Sequence, residues 1–132
     1  MKMKTLSFAT LLISACFNPA VFAGSELSAT EIKSLFSNST VNAYSELKKA
    51  PVSLFYDDNG EVRGIFSSGN KGMTRWWVKD SGHICLKGKK VDLCFVVVSN
   101  GDSYEKYLVK PDGTKVLAFS METFSSGNIN QY

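Results

Sequence analysis

From Thr40 onward, short apolar or alternating runs are interrupted by turn signals roughly every ten residues, the rhythm of an antiparallel meander. More than any other feature, this sets the fold class as mainly β. The signals are Asp57-Asp58-Asn59-Gly60, Ser68-Gly69-Asn70-Lys71-Gly72, Asp80-Ser81-Gly82, Ser99-Asn100-Gly101 and Pro111-Asp112-Gly113. Between them the pattern predicts about eight strands, near 40–44, 52–56, 61–67, 73–79, 83–87, 91–98, 102–110 and 114–122. Asn59-Gly60 predicts a type I′ hairpin turn, because that pair tolerates two positive φ angles. The polar tail, residues 124–132, is expected to be loose.

One short helix precedes the strands. Ser28 and Glu31 stand at capping-box spacing, Leu27 and Ile32 fit a hydrophobic staple, and Ile32, Leu35 and Phe36 form an apolar stripe. Ahead of it, Lys2 and Lys4 lead into an apolar run to Phe17, then Asn18-Pro19 and Ala20-Val21-Phe22-Ala23. This is the pattern of a secretory signal, residues 1–23, cut after Ala23. The run falls short of the roughly 20 apolar residues that a membrane span requires. Ile13-Ser14-Ala15-Cys16 offers a rival start, a lipobox that would place the protein on a membrane. Cleavage leaves residues 24–132 as one domain. The formal charge of +3 includes Lys2 and Lys4, so the remaining chain is nearly neutral and lacks the basic surface of a nucleic-acid binder.

Two cysteines, Cys85 and Cys94, lie beyond the signal. An even pair in an exported chain predicts a disulfide, with free buried thiols as the alternative. His83 is the one histidine, so a metal site would lack a fourth ligand. The hairpin register agrees with a bridge. If Gly88-Lys89-Lys90-Val91 is the loop, Cys85 faces Cys94, Leu86 faces Leu93 and Ile84 faces Phe95, at a spacing that suits a disulfide.

Extending this pairing across Asn100-Gly101 puts Leu93 opposite Leu108 and Val97 opposite Tyr104. Lys106 then falls opposite Phe95, a mismatch that predicts a bulge or an open edge. The reverse face carries Cys94, Val96, Val98 and Tyr107, so strand 91–98 is apolar on both sides. A sheet with one wet face does not do this. The N-terminal helix, another sheet or a second copy in a homodimer must cover it.

No catalytic constellation stands out. Asp57, Asp58 and Glu61 flank a turn and read as solvated. His83 has no Gly-x-Ser-x-Gly motif to serve, and Gly69 and Gly72 lack the ending of a phosphate loop. Lys87, Lys89 and Lys90 make a basic hairpin tip, joined by Lys71, Arg75 and Lys79, which suits an anionic partner or simply a solvated turn. Trp76 and Trp77 are adjacent on a strand and so point to opposite faces. One indole is expected in the core and the other outside, where tryptophan marks a binding surface.

The helix from Leu27 to Phe36, Phe55-Tyr56-Asp57-Asp58-Asn59-Gly60, Trp77-Val78, Gly82, Cys85, Cys94, Gly101-Asp102-Ser103-Tyr104 and Gly127-Asn128 occur in an order that resembles an uncharacterised family of small secreted proteins of Gram-negative bacteria. The resemblance covers nearly all of residues 24–132. It implies a periplasmic, calycin-like or lipocalin-like barrel with a short N-terminal helix, and it carries no established activity.

The expectation is therefore a small calycin-like barrel or sandwich, periplasmic or secreted, without cofactor or metal and not an enzyme. It would bind a small apolar ligand or an envelope protein through Trp76, Trp77, Tyr107, Lys87, Lys89 and Lys90. The alternatives are a proteinaceous inhibitor of an envelope hydrolase and a lipid-anchored protein starting at Cys16. Nucleic acid is not an expected partner, and a membrane is one only if Cys16 is lipidated.

Overall fold

In the computed structural model, which describes residues 24–132, four hairpins share one five-residue turn. The first residue donates its N–H to the carbonyl of the fifth, and a glycine in fourth place donates back to the first. The units run 57–61, 66–70, 79–83 and 110–114, and their glycines, Gly60, Gly69, Gly82 and Gly113, have φ between +86° and +96°. This is the three-residue hairpin loop in which glycine takes the left-handed position. The type I′ expectation for Asn59-Gly60 is corrected, since Gly60 alone of that pair has a positive φ. Asn59 instead accepts the Glu61 N–H through its side chain.

The strands are β1 (Ser25–Glu26), β2 (Ser39–Ser45), β3 (Ala50–Tyr56), β4 (Glu61–Ile65), β5 (Lys71–Val78), β6 (Ile84–Leu86), β7 (Leu93–Asn100), β8 (Ser103–Val109) and β9 (Lys115–Ser126), with one helix, α1 (Ala29–Phe36), between β1 and β2. From β2 to β9 each strand pairs with the next, and β9 pairs back with β2. The result is a closed, eight-stranded antiparallel barrel. Closure falls to β9, which opposes β8 and β2 at once. Its ladder skips Ala118 against β8 and Glu122 against β2, and such bulges bend a strand enough to turn a corner.

The cysteine hairpin has the expected register, Ile84 to Phe95, Cys85 to Cys94 and Leu86 to Leu93, and the bridge is formed. The next pairing is corrected. Phe95 opposes Leu108, Val97 opposes Lys106 and Ser99 opposes Tyr104. The turn centres on Gly101-Asp102, with φ +78° at Gly101, not on Asn100-Gly101. Moving a turn by one residue slides the ladder by two, so every side chain keeps its face but changes its partner. The irregularity expected beside Lys106 exists, but it lies in the β8–β9 ladder between Lys106 and Tyr107.

Helix α1 begins as expected. Ser28 Oγ accepts the Glu31 N–H, and the Glu31 carboxylate accepts the Ser28 N–H. The helix buries Ile32 and Phe36 in the barrel core and so stoppers one end. The apolar reverse face of β7 is covered from within the chain. Val96 and Val98 are buried, with Tyr107 paired across from Val96 and Glu26 of β1 paired across from Val98. β1 extends the sheet at this edge of β7, and the helix packs at the barrel end instead of over this face. The tail is also corrected. Phe124 to Ser126 belong to β9, and Gly127 donates to Asn38 O and accepts from Thr40 Oγ1. Arg63 Nε then donates to the Tyr132 carbonyl. A polar tail satisfied by hydrogen bonds is ordered without any apolar signal.

Candidate functional site

A meander barrel sends alternate loops to the same end. The loops after β3, β5 and β7 lie at the α1 end, where Gly82 lies beneath the Leu27 carbonyl and Asp58 bonds Asn38 just past the helix. The loops after β2, β4, β6 and β8 surround the other end, which no helix among the described residues covers. Here the barrel holds an open cavity of about 250 Å³, walled by Val52, Leu54, Leu86, Phe95, Leu108, Ala118 and Phe119. Ser45, Ser67, Thr74, Lys48 and Lys87 are its polar margin. A single water needs about 10–15 Å³ of such space, so the cavity has room for a short alkyl chain.

The charges around the two ends differ. Lys48, Lys49, Lys71, Lys87, Lys89, Lys90 and Lys110 are exposed on the open-end loops, against Glu46, Asp92 and Asp112. Glu46 is held by Lys49 at 3.7 Å and by Ser120 Oγ at 2.8 Å. The stoppered end carries Glu31, Asp57, Asp58, Glu61, Asp80 and Asp102 against Lys33, Arg63, Arg75 and Lys79. The mouth is thus the basic pole of a nearly neutral domain, and such a pole raises the local concentration of anions.

Beneath the cavity lies Lys106, 3% exposed and the one buried charged residue among those described. Its Nζ donates to Tyr56 Oη at 2.8 Å. Four ring centroids surround it: Phe36 at 5.1 Å, Tyr56 at 5.1 Å, Phe95 at 5.2 Å and Phe119 at 5.6 Å. The helix and three strands each supply one ring. Tyr56 packs edge-on to Phe36 and Trp76, and Phe95 to Phe119. No carboxylate pairs with Lys106 among the described residues. Burial pulls its pKa from 10.5 down to about 7, while the ring faces and phenol oxygen favour the charged form. Burial also holds the Tyr56 phenol well above its ordinary range. Beside Lys106 is a void of about 20 Å³, enough for one water molecule. It shares Val52, Leu54, Leu86 and Phe119 with the wall of the open cavity, so the two spaces adjoin.

The residues singled out from sequence do not form one site. Trp76 is in the core, its Nε1 donating to the Asp57 carbonyl. Trp77 lies half-buried on the outer wall, paired across from Cys85. Tyr107 is also outside and donates to Glu105. Burial, and then that carboxylate, raises its pKa. Of the basic hairpin, Lys87 reaches the cavity margin while Lys89 and Lys90 stand exposed at the tip. Asp57 and Glu61 both pair with Arg63, at 3.2 and 2.7 Å, which makes them a turn clamp. His83 Nδ1 meets Ser81 Oγ at 2.6 Å, in an outer groove away from the cavity.

Sequence reasoning missed Lys106 as a site residue, along with Lys48, Lys49 and Lys110 at the open end. Of the residues it joined to the hairpin tip, Lys71 lies at that end, whereas Arg75 and Lys79 lie toward the stoppered one. Tyr104, Lys106 and Leu108 alternate along β8, so Lys106 shares its face with two apolar residues. That was the available signal.

No family model matches the chain, and neither the curated proteins nor the solved structures contain a match. The fold agrees with a calycin-like barrel, and the proposed kinship with a Gram-negative secreted family gains nothing from these comparisons.

Proposed function

We propose that the chain is a non-enzymatic binding module of an oxidising compartment, periplasmic or secreted after cleavage at Ala23. Its ligand is a small amphiphile, with a short apolar chain in the barrel mouth and an anionic head among the rim lysines. The observation that carries this reading is the open apolar cavity ringed by Lys48, Lys87 and their neighbours. Ligand sites are concave and mostly apolar, with a few polar groups at the margin. The Cys85–Cys94 bridge supports the compartment, since disulfides persist where thiols are not kept reduced.

The test is displacement of a fluorescent apolar probe by octanoate. Leu54→Trp fills the cavity and should weaken binding by at least about tenfold, because overpacking removes the space the chain occupies. Lys48→Glu with Lys87→Glu should slow association and flatten its salt dependence. Unchanged affinity in the filled variant would remove the cavity from the account.

A second reading has a specific observation behind it. Val91 and Leu93 are 68% and 40% exposed beside Lys87, Lys89 and Lys90, on a disulfide-pinned tip suited to a protein partner such as an envelope hydrolase. Charge reversal at Lys89 and Lys90 separates the two. It should abolish capture of a protein partner, yet leave octanoate affinity within about threefold, since both lysines stand off the cavity wall.

A further inference from the structure

The rim and cavity account for binding, but not for an amine placed beneath them at the cost of burying a charge without a counter-ion. We propose that Lys106 is a covalent capture site, forming an imine with an aliphatic aldehyde that enters the barrel mouth carbonyl-first, its alkyl chain trailing in the open cavity. This inference rests on the reading that the mouth admits apolar chains.

The geometry distinguishes among occupants. The void next to Lys106 is about 20 Å³, wide enough for one small group. A carboxylate is wider, must shed its water, and would meet the negative faces of the four rings around Nζ. A neutral carbonyl is narrower and brings no charge. The product also suits the cage. In the overall change, an ammonium and an aldehyde become a protonated imine and water, so one positive charge is present before and after. The rings that hold the ammonium then hold the iminium, and no counter-ion is needed at either stage.

The step requires the neutral amine to act as nucleophile. Its lone pair forms the C–N bond, and the carbonyl π pair moves to oxygen, which takes a proton. The proton that left the ammonium at the outset then returns to this hydroxyl, which departs as water while the nitrogen lone pair forms C=N, leaving the protonated imine. Tyr56 Oη, 2.8 Å from Nζ, is placed to pass the proton from nitrogen to oxygen. Burial supports the first requirement. With its pKa brought down to about 7, Lys106 is roughly half neutral near pH 7, whereas an ordinary lysine is neutral in about one molecule in 2,500.

The experiment incubates the protein with octanal at neutral pH, reduces any imine with cyanoborohydride, and locates the adduct by peptide mapping. Lys106 should be trapped at least about tenfold faster than any rim lysine, given its larger neutral fraction. Lys106→Met should lose that adduct while still binding octanoate, and Tyr56→Phe should slow its formation several-fold. Adducts confined to the rim lysines, at the same rate in wild type and Lys106→Met, would overturn the inference. Because mapping of the wild type needs no variant, the result stands even if a substitution fails to fold. If octanoate binds and octanal leaves Lys106 unmodified, the covalent site falls and the binding cavity remains. If octanoate also fails to bind, both fall.

Discussion

Replacing Lys106 with methionine should stabilise the barrel near neutral pH, and by an amount that depends on pH in a defined direction. Burial lowers the folded-state pKa from 10.5 to about 7. Between those values the unfolded chain binds a proton that the folded chain does not, so wild-type stability rises with pH across this window. Below pH 7 both states are protonated, and the full cost of burying the ammonium is present. Three and a half units at about 1.4 kcal/mol each set that cost at up to about 5 kcal/mol. The four ring faces, at about 0.5–2 kcal/mol each, and the Tyr56 hydrogen bond offset part of it.

From pH 7 to 9.5, wild type should therefore gain about 1–3 kcal/mol relative to Lys106→Met. Tyr56, the titratable group in contact with Nζ, has its pKa raised by burial and acts in the opposite sense. It costs stability only as pH rises above about 10, where an unfolded tyrosine ionises, and so stays outside the window. Urea denaturation of both proteins at several pH values measures the difference. Parallel curves would mean that the folded ammonium is as comfortable as in water, and the argument for a functional Lys106 would lose its energetic basis.

Other consequences follow from the same structure. Reducing Cys85–Cys94, which lie nine residues apart, should cost about 3 kcal/mol by loop-closure entropy, read as a lower urea midpoint under reductant. Gly64→Ala should fold poorly, because φ is +149° and a Cβ there would run into the Ser53 carbonyl; an unchanged melting temperature would refute the β3–β4 register. Intact mass of the exported protein should correspond to a start at Gly24 with two fewer hydrogens from the bridge, and a diacylated start at Cys16 would place it on the membrane instead.

Most of the fold was legible because turns and alternation are local. Each hairpin glycine stands in its own five-residue unit, and the cysteine register followed from one loop length. The Gly101 turn was not decidable in this way. Asn100-Gly101 and Gly101-Asp102 are both acceptable turn centres, and both keep the same residues facing inward, so hydrophobic pattern cannot choose between them. That ambiguity hid the site. A lysine paired with Phe95 reads as an error, whereas one paired with Val97 and enclosed by rings from four separate elements is a long-range arrangement that alternation does not encode. The basic mouth was legible only at Lys71, Lys87, Lys89 and Lys90, for a similar reason. Its lysines are scattered along the chain, and only strand order gathers them.

The central claim is that the open end of the barrel takes an apolar chain between basic loops. It is tested most directly by following methyl resonances while octanoate is added. The account predicts saturable shifts at Val52, Leu54, Leu86 and Ala118, which wall the cavity, with Ile32 at the stoppered end unmoved. Shifts confined to outer-wall residues such as Val109, or none at all, would contradict it.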